Sequence, residues 1–405
     1  MKVLIVNHSD SRGGASVVSL RLLEALRNMG VDASMLVLHK QTINPDVARF
    51  KIPIGLRIPF YKEHLRIFAA NGFNRDTLFK ISIASDGYHI WKHPLVKDAD
   101  VIILNWVNQG MLSLAGIERL AKMGKRIVWT MHDMWNATAI CHHAGLCRNF
   151  IAPQGCANCP LLGSKASHRD LASKTWRQKK EFYSRVPITF VAVSSWLLEK
   201  CRESTLLKDA RIHMIPNAFP IDEFTTNPSV ARTALGLPSS GKIILMGAAR
   251  LDDPIKGLPY AVETLNAMKQ CNATAVFFGE IRDSQALEKL RFPHICLGTV
   301  SDKDKLRQIY AHADVLISTS LFETLPGTLV EAQASGTVPI AFNSGGQSDI
   351  IENGSTGYLV EPYDTQAFAR AITKALEEPF NEADLRNAAA RFAAPNIAKS
   401  YLSII

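Results

Sequence analysis

The chain has 405 residues, 47% hydrophobic and 20% charged, with 46 Lys+Arg against 37 Asp+Glu for a net charge of +9. That length exceeds one ordinary core and predicts two domains of roughly 200 residues each, and the composition excludes a disordered chain. The apolar stretch after Met1 is far shorter than the roughly 7–15 residues of a signal peptide core, and no apolar run nears the ~20 that span a bilayer, so the expectation is a soluble cytoplasmic protein.

The charge is unevenly spread. Residues 1–200 hold 27 Lys+Arg and 14 Asp+Glu, a surplus of 13, whereas the remainder holds 19 and 23, a deficit of 4. A basic first half suggests an anionic partner there: phosphoanhydride, acidic lipid or nucleic acid. A solvated basic face explains the charge equally well.

In chain order, "KVLIV" predicts a buried strand, and "NHSDSRGGASVVSL" turns from it into a helix that ends at Gly30. Gly13 and Gly14 sit at this turn, where glycine lets the backbone approach a ligand with its amides outward. "ASMLVL" is the next strand. Residues 53–80 mix Arg57, Lys62, Arg66, Arg75 and Lys80 with aromatics and leucines. That composition suits either a segment resting on anionic lipid or an amphipathic helix packed on its own domain. Asp98 to Asp100 form a D-x-D, but it precedes the strand "VIILNW" and so lies at the wrong edge of a parallel sheet for ligand binding. "RIVWTM" ends one residue before His132, and "ITFVAV" follows later. Such strands alternating with helices are the signature of βαβ units.

Between His132 and that last strand lies "CHHAGLCRNFIAPQGCANCP", holding four of the seven cysteines. In a cytoplasmic protein disulfides are disfavoured. Cys156-x2-Cys159 has zinc-knuckle spacing, and Cys141 with Cys147, or His142 or His143 in place of a thiolate, would complete a tetrahedral site. Structural zinc, reduced cysteines packed in a loop, and disulfides are the three alternatives. Cys201, Cys271 and Cys296 lie in regular patterns and are expected to be buried small hydrophobes.

"IPNAFPIDEFTTNPSVARTALGLPSSGK" has a linker composition. The strand pattern then restarts with "KIILMGAAR", "ATAVFFGE", "HICLGT", "DVLISTS" and "VPIAFN", with helices near 257–270, 302–312 and 327–335. Arg250 and Lys256 follow the first of these strands, where two cations could neutralise a diphosphate. In "STSLFETLPGTLVEAQASGTVPIAFNSGG", Glu323 opens a loop and Glu331 falls inside the next helix, whose start offers free N–H groups to a phosphate. Two carboxylates beside an anion site suit a sugar hydroxyl and a ribose diol.

Glu323, seven residues, then Glu331 resembles the E-x7-E motif of family 4 retaining glycosyltransferases, which have the two-Rossmann GT-B fold. The Gly-Gly turn, Arg250 with Lys256-Gly257, "PNAFPIDEF" and "NSGGQSDIIENGSTGYLV" are similar to the same family. "TMHDMW" followed by cysteines, with "ETLPGTLVEA", resembles the branch that builds bacterial capsule, exopolysaccharide and O-antigen. Ala218 and Leu325 depart from residues common in the family, Gly and an aromatic. The resemblance implies an α/β GT-B fold, two Rossmann-like doubly wound domains facing across a cleft. They would be an acceptor-side domain at 1–215, a linker at 216–240 and a nucleotide-sugar domain at 241–385, with a helix at about 386–405 a candidate to pack back on the first.

The resemblance also implies roles. Glu331 would hold the ribose and Glu323 a donor-sugar hydroxyl. Arg250, Lys256 and the main chain at Pro326, Gly327 and Thr328 would hold the leaving diphosphate, and His132 would reach the donor sugar. Gly13 and Gly14 would complete the donor contacts. The partners would be a nucleotide-sugar donor, a glycan or lipid-linked glycan acceptor and an anionic membrane surface at its inner face, but no nucleic acid. No catalytic divalent metal is expected. A non-catalytic nucleotide-sugar binder and a GT-B epimerase are the alternative functions.

Overall fold

The computed structural model describes residues 1–405 except 53–56, 225–227, 270 and 379. The opening of the 53–80 segment and part of the 216–240 stretch therefore lie outside the described residues. The chain divides into two units, Met1–Asn217 with Ile397–Ile405, and Ala218–Asn396.

The first unit holds strands β1 (Lys2–Ser9), β2 (Asp32–His39), β3 (Val47–Arg49), β4 (Val101–Leu104), β5 (Arg126–Met131), β6 (Ile188–Ala192) and β7 (Ile212–Met214). They form one parallel sheet in the order β3-β2-β1-β4-β5-β6-β7. Helices cover both faces of such a sheet, which is why its strands read as unbroken apolar runs. All four residues of β4 are buried, as are Val3 to Val6 of β1. Helix α1 (Gly14–Asn28) turns Leu22, Leu23 and Leu26 inward, the spacing of one helical face. Helix α2 (Ile58–Ala70) buries Glu63, His64 and Ile67. In the tail Ile397–Ile405, Tyr401 shares a 2.8 Å hydrogen bond with Thr130 of β5.

The second unit repeats the plan with β8 (Lys242–Arg250), β9 (Ala273–Glu280), β10 (His294–Cys296), β11 (Val315–Ser318), β12 (Val338–Phe342) and β13 (Tyr358–Val360). Their parallel order is β10-β9-β8-β11-β12-β13. One core of Phe277, Phe342, Phe368 and smaller apolar residues fills this unit.

Both units are therefore α/β doubly wound sheets, and each reverses its strand order once, between β1 and β4 and between β8 and β11. Ligands bind such sheets in the crevice beyond the carboxyl ends of the strands at that reversal. Asp98 and Asp100 lie at the opposite edge, where Lys2 holds both: Nζ to Asp98 at 2.5 Å and the backbone N–H to Asp100 at 2.7 Å. Two expectations about cysteines need correction. Cys201 is buried, but Cys271 and Cys296 are exposed, because β9 starts only at Ala273 and β10 is a short edge strand. Among the described residues no helix is long and apolar enough to cross a membrane.

Candidate functional site

The second unit gathers its charged candidates at the β8/β11 reversal. β8 carries an irregularity between Gly247 and Arg250 that ends its regular pairing with β9. Close packing requires glycine there, since a Cβ on Gly247 would lie 1.9 Å from the Phe278 ring. Arg250 follows, its Nε 3.5 Å from Asp252 Oδ1. That separation makes an ion pair without a hydrogen bond, and buried Arg250 Nε has no hydrogen-bond acceptor among the described residues.

Lys256 closes the next turn. Gly257, at φ 67°, must be left-handed, and a side chain on it would strike the Thr319 carbonyl at 2.1 Å. The turn carries Lys256 Nζ to 2.6 Å from Glu323 Oε1. Burial works against the ammonium, but the Glu323 carboxylate more than offsets it and holds the lysine above its usual range. Lys256 and Glu323 thus meet although 67 residues separate them in sequence.

The Glu323 loop is clamped from behind. Its carbonyl accepts the Gly346 N–H at 2.9 Å, and a Cβ on Gly345 would lie 2.0 Å from that oxygen. Ser344 Oγ donates to the Ser320 carbonyl at 2.7 Å, and Gln347 Nε2 donates to Ser344 Oγ at 2.9 Å. This clamp was not assigned from sequence; "NSGG" stands out there as a motif, but nothing local shows that it backs the Glu323 loop.

Helix α3 (Gly327–Ser335) begins after Pro326 with no side-chain cap, so its first N–H groups point beyond the strand ends. Glu331 follows one turn later. A cavity of about 170 Å³ is lined by Thr328, Glu331, Tyr310, Thr299, Gly279 and Ala248, among others. Buried Tyr310 donates its hydroxyl to Glu331 Oε2 at 3.1 Å and so fixes the carboxylate; sequence reasoning missed this partner.

The first unit presents different chemistry at the β1/β4 reversal. Gly13, at φ 82°, caps α1, and Gly14 opens it; a Cβ on either would meet nothing within 4 Å. His132 follows β5 and hydrogen-bonds Asn105 Oδ1 through Nε2 at 2.8 Å. Burial pushes His132 down to about 4, despite the Asp133 charge beside it. It is therefore neutral at pH 7. Asp133 turns instead to His142, 2.7 Å away, to the Trp106 indole at 3.2 Å and to the Trp135 N–H at 2.8 Å. Burial opposes its charge, but His142 and these hydrogen bonds hold Asp133 down to about 2.

The zinc expectation is not supported. Cys141, Cys147, Cys156 and Cys159 line one small cavity as free thiols, and no three His, Cys, Asp or Glu among the described residues gather closely enough to hold a metal ion. Burial pushes Cys156 and Cys159 up to about 12 and raises Cys141. His142 cannot substitute, because Asp133 and Ser82 occupy both of its ring nitrogens. Hydrogen bonds pin the loop. Buried Lys179 donates to the Trp135 and Thr138 carbonyls at 2.5 and 3.1 Å, Thr138 Oγ1 to the Cys141 carbonyl at 2.6 Å, and Ser204 Oγ to the Ala137 carbonyl at 2.5 Å.

Residues 12–223 match the family described as Glycosyltransferase Family 4, and residues 241–378 match Glycosyl transferases group 1. The chain is similar to the D-inositol 3-phosphate glycosyltransferase of Corynebacterium urealyticum, 24% identical over 73% of this chain and 70% of that one. It is 32% identical to the glycogen synthase of Pseudomonas fluorescens over 24% of this chain, but the match spans only 21% of that relative's length. The crystal structure of Anabaena Alr3699/HepE in complex with UDP and glucose covers 100% of this chain and 99% of its own, at a TM-score of 0.65 and 17% identity. At that identity the likeness shows the fold: two parallel-sheet α/β domains of the GT-B type.

Proposed function

The chain belongs to glycosyltransferase family 4, and from that premise we propose that it moves a sugar from a nucleotide-diphosphate sugar, UDP- or GDP-linked, to a growing, lipid-linked bacterial glycan with retention. The bond from the anomeric carbon to the diphosphate breaks, the acceptor oxygen bonds the same face, and its proton passes to the departing diphosphate. Arg250, Lys256 and the N–H groups at Gly327 and Thr328 stabilise the charge that builds on the leaving group. No divalent metal takes part in that scheme. Glu323 holds a hydroxyl of the donor sugar and, through the 2.6 Å pair, keeps Lys256 in place before the donor arrives. Glu331, steadied by Tyr310, takes the ribose. Gly13, Gly14 and Pro326 let the main chain approach the donor, and neutral His132 serves the first unit as a hydrogen-bonding contact to substrate.

The observation that carries this reading is the Lys256–Glu323 pair at the strand-order reversal, beside the uncapped start of α3 and the cavity that Glu331 lines. A membrane-facing role for the first unit rests on α2. Ile58, Tyr61 and Leu65 are 42%, 61% and 68% exposed along one stripe, and Lys62 and Arg66 flank it, the pattern of a helix lying on anionic lipid at the cytoplasmic face. Incubation with UDP- and GDP-sugars plus lipid-linked acceptors tests the whole. Transfer with retained anomeric configuration is expected. Saturable donor binding with no transfer to any acceptor or water would indicate a binder, and interconversion of free donor epimers an epimerase.

A further inference from the structure

A buried hydrogen-bond chain in the first unit takes no part in the proposed donor chemistry. Ser82 Oγ lies 2.9 Å from His142 Nε2, and His142 Nδ1 lies 2.7 Å from Asp133 Oδ2. That is the order of a serine-hydrolase triad. Yet Ser82 is 0% exposed, its N–H donates to the Ile140 carbonyl, and its own carbonyl accepts the Trp135 indole N–H. No substrate reaches that hydroxyl, so it is not a nucleophile. The chain ends elsewhere: the same Asp133 oxygen accepts the Trp106 indole N–H at 3.2 Å.

Trp106 is fixed through its backbone as well. Its N–H donates to Asn7 Oδ1 at 2.9 Å, and its carbonyl accepts the His8 N–H at 3.1 Å. It follows β4 at the strand-order reversal of the first unit, where a ligand is expected, and it is only partly buried. A large ring held by its indole N–H on a backbone fixed at two further points, and left partly open at such an edge, is a preorganised surface. Its neighbours are rings too: His8 lies edge-on at 5.6 Å, and His39 lies 5.1 Å from His8. Burial pushes His8 down to about 4 and lowers His39, so both imidazoles are neutral at pH 7. The immediate surface therefore offers apolar ring faces and neutral hydrogen-bonding groups, which match the C–H face and hydroxyls of a sugar ring. The cations nearby, Arg12, Arg49 and Arg57, are exposed, and they supply the competing outcome, a phosphate.

We propose that Trp106 is the platform on which the first unit holds a sugar ring of the acceptor, and that Asp133, anchored by His142 and Ser82, is a positioning residue that sets the indole plane. This rests on the glycosyltransferase reading and adds to it that the acceptor is gripped by a neutral pyranose.

Saturation-transfer NMR on the full chain tests it, with the methyl glycosides of glucose, galactose and mannose as probes and inorganic pyrophosphate as the anionic control. At least one glycoside should receive saturation at its ring C–H protons. Trp106→Ala should weaken that binding by about tenfold or more, and Trp106→Phe should restore most of it. Asp133→Asn should weaken it by several-fold and shift the Trp106 indole N–H resonance, identified by its loss in Trp106→Phe; a merely structural role would leave the resonance in place once the chain is folded. UDP and GDP binding, followed by calorimetry in every variant, reports the donor site separately from the glycoside signal. Absence of both from the wild type would sink the donor reading, and glycoside binding that still depends on Trp106 would then show a sugar platform without the transfer. No saturation of any glycoside, saturation unchanged in folded Trp106→Ala, or binding of pyrophosphate alone in a Trp106-dependent way would overturn the platform.

Discussion

The two units share one topology and differ in what they place at its reversal. In the second, Arg250, Lys256 and Glu323 bring charge to the ends of β8 and β11, and Lys256 and Glu323 hold one another at 2.6 Å. In the first, His8, His39, Asn105, Trp106 and His132 bring rings and amides, with the imidazoles of His8, His39 and His132 lowered below their usual range. The net charge of the halves runs the other way, since the surplus of Lys+Arg lies in residues 1–200. Strand order fixes where a ligand binds, and the residues at the strand ends fix its chemistry; net charge reports the outer surface.

The comparison breaks most easily at the charged site. Lys256→Ala and Glu323→Ala should each lower transfer by about 10²–10³-fold, the usual result of losing one positioned charge contact. Because the two side chains are partners, the double variant should fall well short of the product of the single losses. Steady-state kinetics with a saturating acceptor read this. Near-normal turnover in both single variants would remove the site from the second unit.

A backbone change sharpens the same point without touching a charge. A methyl at Gly345 would sit 2.0 Å from the Glu323 carbonyl, so Gly345→Ala must displace the loop that carries Glu323. Overpacking of this kind costs about 1–3 kcal/mol, or about 5–150-fold in transfer if the strain falls on the site. Gly14→Ala is its counterpart in the first unit, where the new methyl meets no protein atom within 4 Å. Its melting temperature should hold, and any loss of donor turnover then reports a ligand close to that backbone.

Much of this was legible in the sequence because it is local. "RIVWTM", "KIILMGAAR" and "ATAVFFGE" coincide with β5, β8 and β9, since strands buried on both faces are continuous apolar runs. Glu323 and Glu331 stood out because strand, loop and helix follow one another within a single βα unit. Of the three-residue edge strands, β10 was read within "HICLGT", whereas β3, β7 and β13 were invisible; an edge strand that short needs no apolar run. The partners of Glu331 and Asp133 were equally hidden. Tyr310 lies 21 residues from Glu331, and Trp106 reaches Asp133 across 27, distances that only the folded sheet closes. The cysteines show the reverse error, a local spacing that suggested a metal where the fold supplies hydrogen bonds.

If the first unit's surplus charge belongs to its outer surface, it should act on lipid. Lys62→Gln and Arg66→Gln each remove one base beside the exposed stripe of α2. Each should weaken binding to anionic vesicles by about fivefold, since one base near such a surface contributes about 1 kcal/mol. Binding should also fall as salt shortens the charge interaction to ~8 Å. Co-sedimentation checks it, and equal partitioning onto neutral vesicles would argue against a membrane role.

The smallest effect expected is on stability, and it belongs to the first unit. Burial pushes His8 and His132 from 6.5 down to about 4 and lowers His39, His64 and His93 in the same direction. A histidine kept neutral by the fold takes up its proton more readily when the chain unfolds. Between pH 6.5 and 4 the unfolded state therefore binds more protons, and stability falls as pH is lowered through that window. Asp133 works lower down: its contribution is full above the unfolded value of 3.8 and is lost as pH falls from there through about 2. All six tryptophans lie between residues 91 and 196, so tryptophan emission during heating reports the first unit alone. The melting temperature it gives should decline from pH 6.5 to 5. His132→Gln should flatten that decline, by at most the one proton it removes. A melting temperature that held steady or rose as the pH fell would mean that these imidazoles are already exposed to water in the folded unit, and the neutral surface proposed around Trp106 would lose its basis.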